Sequence, residues 1–189
     1  MNCEMHRLDE KSAKNIYKNH MKADFPPDEL KPFALIKRLF KKGLYEFFEL
    51  TVDDSPIGYA FCLVTEDKRF ALLDYFAVYK ELREKGLGSA AINEIKKHYG
   101  DELGINLVLE SEDPEFSKNA KEIYIRERRV DFYRKNGMLD SGVFSKLAGV
   151  NYQVFMYPAC NAEEALSACY QTMLPKRIVE KKLMIFTKD

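Results

Sequence analysis

Residues 70–79 read Phe-Ala-Leu-Leu-Asp-Tyr-Phe-Ala-Val-Tyr, an apolar run interrupted by a single aspartate. A strand with one wet face alternates polar and apolar residues, so a run this continuous needs apolar cover on both faces and predicts a central strand. It passes directly into Lys80-Glu81-Leu82-Arg83-Glu84-Lys85-Gly86-Leu87-Gly88 and then into a helical pattern in which Ala91, Ile92, Ile95 and Tyr99 share a face. Strand, glycine turn and helix in that order point to a sheet layered with helices. Glycines at such a junction let the backbone approach a ligand closely. The first turn of the helix adds unpaired N–H groups and the positive end of its dipole, a ready anion site. The segment spells neither the Gly-Lys-Ser/Thr of a P-loop nor a G-x-G-x-x-G dinucleotide fingerprint.

The rest of the chain alternates in the same way. A short strand is expected over residues 3–8 and a polar helix over about 10–22, broken by Asp24-Phe25-Pro26-Pro27. A second helix is expected from near Asp28, with Phe33, Leu35, Ile36, Leu39 and Phe40 on one face and Gly43 at its end. Tyr45–Val52 and Ile57–Thr65 read as strands, Ile105–Leu109 as a short buried strand ending at Glu110, and Ser117–Asn136 as a long charged helix closed by Gly137. Met138–Phe144 and Tyr152–Tyr157 form a last strand pair; the tail adds a helix at Ala162–Met173, a break at Pro175 and an extra strand at Ile178–Phe186. The tail is placed either to cover a sheet edge or to make a homodimer contact.

Charge and composition narrow the partners. The 189 residues carry 30 Lys+Arg against 30 Asp+Glu, a formal charge of zero, which disfavours a nucleic-acid binder. With 46% hydrophobic residues the chain can bury a core as one domain over residues 1–189, without disulfides or metals. Cys3, Cys62, Cys160 and Cys169 lie too far apart for a zinc pattern and read as thiols. No segment approaches the roughly 18 apolar residues of a membrane span, so no membrane partner is expected and the cytoplasm is the default location. The neutral sum hides two biases: cationic sequence gathers at 80–88 and 126–135, acidic sequence at 110–115.

Arg83-x-x-Gly86-x-Gly88 and the later Phe132-Tyr133-Arg134-Lys135-Asn136-Gly137-Met138 together resemble the GCN5-related N-acetyltransferases (GNAT). The first segment matches that family's Gln/Arg-x-x-Gly-x-Gly/Ala turn, and the second its Phe/Leu-Tyr-x-x-x-Gly-Phe segment, with Met138 in place of the usual aromatic. The resemblance covers roughly residues 3–157, in the right element order. It implies an α/β (α+β) fold with a mixed, mostly antiparallel sheet whose central strands splay, flanked by helices. It also implies acetyl-CoA as co-substrate and a primary amine as acceptor.

By the same resemblance, the segment Arg83, Glu84, Lys85, Gly86, Leu87, Gly88 and Ser89 would cradle the pyrophosphate. A backbone N–H within Phe76, Ala77 and Val78, best Val78, would hold the thioester oxygen as it gains charge, an interaction worth roughly 3–4 kcal/mol in other acyl-transfer sites. Tyr133 stands at the general-acid position. An alkyl amine of pKa about 10.4 is neutral in only about one molecule in 2,500 at pH 7, so something must take its proton. Glu110, at the expected strand end, and Glu112, two residues on, are the candidate bases. The family's pantetheine-bonding Asn, seven residues before the Tyr, is Arg126 here, a candidate for a CoA phosphate or for ion pairs along its own helix. The acceptor is expected near Phe25–Phe40 and a loop about Gly142–Tyr152.

Overall fold

A computed structural model describes residues 2–27 and 29–188. The hydrogen-bonded strand order is β1-β2-β3-β4-β5-β7-β6-β8. The strands are β1 (Cys3–Arg7), β2 (Tyr45–Val52), β3 (Ser55–Val64), β4 (Phe70–Val78), β5 (Asn106–Glu112), β6 (Leu139–Leu147), β7 (Val150–Tyr157) and β8 (Leu183–Thr187). The chain groups into two compact units: residues 1–64 with 73–95, and residues 65–72 with 96–189.

In the first unit, β1 pairs antiparallel with β2, and β2 with β3. Helix α1 (Glu10–Ile16) is capped by Asp9, whose carboxylate accepts the Ser12 N–H at 2.7 Å. It runs through a π-helical segment, Tyr17–Met21, into the short α2 (Lys22–Asp24). The expected helix start near Asp28 falls outside the described residues; α3 spans Phe33–Lys41 and begins after Pro32, which fits Pro at a helix entrance. Ile36 and Leu39 of α3 are buried, and Phe40 stacks on Phe47 of β2 at 4.7 Å between ring centres. Phe47 in turn meets Phe61 of β3 at 4.7 Å. The apolar spacing read along α3 is therefore its buried face.

In the second unit, Phe70–Leu72 of β4 pair parallel with Asn106–Val108 of β5. Strand β5 continues antiparallel with β7, so the sheet is mixed. It is also longer than expected: Glu110 lies opposite Val154 and Glu112 opposite Tyr152, both inside the ladder and not beyond its end. The loop expected about Gly142–Tyr152 is instead a strand pair. β6 and β7 meet at Leu147↔Val150, joined by the two-residue turn Ala148-Gly149 with φ of +51° and +98°. Both residues at positive φ suit a tight hairpin. Gly142, at φ +71°, sits where the β6 register shifts.

Helix α4 (Leu87–Lys96) continues into a π-helical segment, Lys97–Glu102. Helix α5 (Ala120–Lys135) starts later than expected because Asn119 is its cap, accepting the Glu122 N–H at 3.0 Å, after a 3-10 turn at Pro114–Phe116. Helix α6 is Ala162–Met173, as expected. Past Pro175 a further short helix, α7 (Lys176–Lys182), takes residues expected to be strand, and β8 pairs antiparallel with β6. The tail thus adds an edge strand to the sheet. All four cysteines are free thiols. Among the described residues no helix is long and apolar enough to cross a membrane.

Candidate active site

The glycine turn lies wholly in the first unit. Residues Lys80–Leu82 form one 3-10 turn, Glu84 and Gly86 take φ of +67° and +78°, and Gly86 opens α4. The Gly86 carbonyl accepts the N–H of Ser89 at 3.1 Å and of Ala90 at 3.4 Å. Those are the first bonds of the helix, so the N–H groups of Leu87 and Gly88 come before any intrahelical acceptor. A Cβ built on Gly86 would meet nothing within 4 Å; glycine is required there by φ and not by crowding. Glu84 and Lys85 are exposed and Ser89 half-buried. This geometry fits an anionic phosphate held by main-chain donors.

The carboxyl end of β4 is pinned. The Val78 carbonyl accepts Arg83 Nε at 2.9 Å, and the Tyr79 N–H donates to the Ile57 carbonyl at 2.9 Å. Both polar groups of the peptide after Val78 are thereby fixed. The Arg83 guanidinium also bonds Asp24 at 2.5 Å, and Asp24 accepts the Tyr59 hydroxyl at 2.8 Å. Arg83 therefore ties the turn to α2 and β3 through its side chain. Gly58 of β3 completes the fit: a methyl there would sit 2.2 Å from the Ala77 carbonyl oxygen and 3.0 Å from Val78 Cα. In the sequence Asp24 stands out only as part of a helix break, and Gly58 not at all. A glycine inside an apolar strand is a local signal for close backbone approach, and it would have found Gly58.

Close by, Asp74 of β4 accepts Lys31 Nζ at 2.6 Å and the Tyr45 hydroxyl at 2.5 Å. The Tyr75 hydroxyl donates to the Glu29 carbonyl at 3.0 Å and accepts the Lys31 N–H at 2.8 Å. Together these bonds hold the 29–31 segment against β4. Phe25 packs edge-on to Tyr75 at 5.0 Å, so this expected acceptor aromatic is a packing partner of β4.

Tyr133, Glu110, Glu112 and Arg126 all belong to the second unit. Tyr133 is 8% exposed, its ring against Phe155 at 5.7 Å and Phe132 at 5.3 Å. Burial pushes its phenol above the usual tyrosine value, and the Arg129 guanidinium pulls it partly back. Among the described residues its hydroxyl has no hydrogen-bond partner. A protonated phenol on a fixed ring, with its O–H uncommitted, can donate to a ligand.

The two carboxylates are engaged differently. Glu110 accepts the hydroxyls of Ser145 and Tyr170, one on each oxygen. Glu112 is bonded by Arg126 at 2.5 Å on one oxygen and by Arg129 at 3.1 Å on the other. Arg126 also donates to the Asp113 carbonyl at 3.2 Å. Its side chain, only 14% exposed, joins α5 to the end of β5.

Comparison with known proteins agrees with this architecture. The acetyltransferase (GNAT) family profile matches residues 13–138. The chain belongs to the GNAT family. GNAT acetyltransferases use acetyl-CoA. A GNAT-family protein from Bacteroides thetaiotaomicron superposes with a TM-score of 0.66 at 17% identity, covering 93% of this chain and 98% of that one. A spermidine N-acetyltransferase from Vibrio cholerae, solved with CoA and spermine, gives a TM-score of 0.60 at 12% identity over 82% and 94% of the chains. A ribosomal L7/L12 alpha-N-protein acetyltransferase gives 0.55 at 12% identity over 82% and 92%. At such identities these solved structures show the fold. No curated protein sequence matches the chain.

Proposed function

We propose that this GNAT protein is an acetyl-CoA-dependent N-acetyltransferase that modifies a primary amine of a small molecule by direct attack. The observation that carries the reading is the turn before α4. Its Gly86 carbonyl starts the helix and leaves the Leu87 and Gly88 N–H groups for a phosphate. Acetyl-CoA supplies the thioester, and every other demand falls on the chain. The Arg83–Ser89 main chain holds the pyrophosphate. The Val78 N–H, on a strand end pinned by Arg83 and Gly58, steadies the oxygen that gains charge. Tyr133 gives its proton to the departing thiolate.

Glu110 is the better proton acceptor for the amine. Its two partners are neutral hydroxyls, one on each oxygen, which hold a carboxylate less strongly than the guanidinium groups that bind both oxygens of Glu112. Arg126 is assigned to Glu112 and not to CoA. A small acceptor is favoured over a polypeptide because the expected loop about Gly142–Tyr152 is closed into a two-residue hairpin turn.

Purified protein mixed with acetyl-CoA and a panel of primary amines is expected to release free thiol. Calorimetry with acetyl-CoA and with CoA should show binding that Gly86→Val weakens at least tenfold. Binding without thiol release for any amine would mark a non-catalytic acyl-CoA module and overturn the proposal. Competition by ATP without CoA affinity would overturn the assignment of the turn.

A further inference from the structure

The cleft following β5 in the second unit has a volume of about 440 Å³, and Asp113, Glu115, Glu127, Asp131, Gln153 and Lys188 are among its lining residues. Its most enclosed member is Asp113, whose side chain is 2% exposed. The Lys188 ammonium reaches into the cleft and bonds Asp113 Oδ2 at 2.7 Å and Glu115 Oε2. Two rings flank the cation on its open side: the same ammonium lies 4.2 Å from the centre of Phe144 and 5.6 Å from that of Phe116, which is itself exposed. Two carboxylates and two aromatic faces around one cation form an ammonium cage, in which charge and ring quadrupole act together.

Two further observations indicate that the cage suits a ligand and is more than an ion pair. Gln153 donates its Nε2 to Asp113 at 3.3 Å, while its Oε1 is buried with no hydrogen-bond partner among the described residues. A primary ammonium carries three N–H donors, and two are accounted for by Asp113 and Glu115. With Lys188 in place, one acceptor lining the same cleft, Gln153 Oε1, stays unused. Glu127 and Asp131, one turn apart on α5, have no ion pair among the described residues, and the other cation of the lining, Arg134, is paired with Asp140, so the cleft remains net acidic with Lys188 in place. Lys188 itself is 34% exposed and follows directly on β8, so its side chain can leave without disturbing a helix.

We propose that the Asp113–Glu115–Phe116–Phe144 cage is a binding site for a primary alkylammonium ion, occupied in this structure by the chain's own Lys188. The site stands whether or not the chain transfers acetyl groups, and its test needs no turnover. A tethered side chain competes at an effective concentration of roughly millimolar, so an external amine binds the unsubstituted protein only above that range.

The test titrates Lys188→Ala with n-butylammonium chloride, reading the Gln153 side-chain amide resonance and the melting temperature. Saturable binding is expected, at least tenfold tighter than to the unsubstituted chain, and abolished in Lys188→Ala/Asp113→Asn. Tetramethylammonium, which has no N–H donors, should bind at least tenfold more weakly. A glycine-flanked lysine tripeptide run in parallel separates sources: the tighter of the two binders identifies a free amine or a polypeptide lysine as the occupant. If Lys188→Ala does not fold, the same resonance is followed in the unsubstituted protein at amine concentrations above the millimolar range. No response to n-butylammonium, or an equal response to tetramethylammonium, would overturn the proposal.

Discussion

Tyr133 combines a buried ring with a hydroxyl uncommitted among the described residues, and the two properties have separate consequences. Burial favours the neutral phenol, so the proton that a departing thiolate needs is present across the neutral range. Tyr133→Phe keeps the contacts with Phe155 and Phe132 and removes only the O–H. The expected outcome is a fall in kcat of about 10²-fold or more, with acetyl-CoA affinity changed less than threefold, measured by steady-state kinetics and calorimetry. The sign of the shift also fixes the alkaline limb. An acid whose pKa is raised keeps its proton past the ordinary tyrosine value of 10.0, so no loss of kcat traceable to Tyr133 should be found below that pH. Arg83 is the second residue with a definite expectation. Its side chain holds the Val78 carbonyl and Asp24, so Arg83→Ala should lower stability by about 1–2 kcal/mol in urea unfolding. The same variant should lower kcat/KM more than tenfold, because the peptide next to the proposed oxyanion donor loses one of its two fixing bonds.

Strands and helices with strong periodicity were legible in the sequence, and those lacking it were not. Tyr45–Val52 and Ala162–Met173 lie where the pattern predicts them, because each buries a definite set of apolar positions. Helix α7 was missed: Lys-Arg-Ile-Val-Glu-Lys-Lys has no apolar face, and none of its residues is buried. Ala148 gives no sign in the sequence that it takes φ +51°, so the β6–β7 turn reads there as a longer loop. In the site, the Arg83–Gly88 turn was legible since its glycines are local. Asp24, 59 positions from Arg83, and Lys188, 75 from Asp113, were not, since no short-range pattern reports a contact across such separations. Gly58 belongs to this scale too. Its hydrogen stands where β3 presses on the Ala77–Val78 backbone, and Gly58→Ala must push two backbones apart. The expected cost is about 1–3 kcal/mol of stability, together with a loss of activity larger than that stability loss explains.

The core of the molecule holds several tyrosines whose phenols are shifted the same way. Burial raises Tyr45, Tyr59 and Tyr75, and the neighbouring carboxylates add to it: Asp74 beside Tyr45 and Tyr75, Asp24 beside Tyr59. Cys3 is pushed up to about 11, first by burial and then by Glu94 and Glu4. A group whose folded pKa lies above its unfolded value contributes stability in full below the unfolded value and loses it as pH rises through the folded one. Stability contributed by these groups should therefore hold up to about pH 9, begin to fall as unfolded Cys3 and then the unfolded tyrosines ionise, and collapse well above pH 10. Urea unfolding at stepped pH, with tyrosinate absorbance recorded alongside, checks the order: ionisation of these tyrosines should accompany unfolding and not precede it. At this scale the tail acquires a protective role. β8 hydrogen-bonds β6 from Val143 to Leu147, so a chain shortened at Pro175 would trade a five-residue edge strand for the nine-residue β6 and present that longer row of N–H and C=O groups to any extended segment it met. Such a truncated chain should scatter light in a concentration-dependent way under conditions where the untruncated one stays clear, which makes the segment after Pro175 a built-in guard against strand-to-strand clumping.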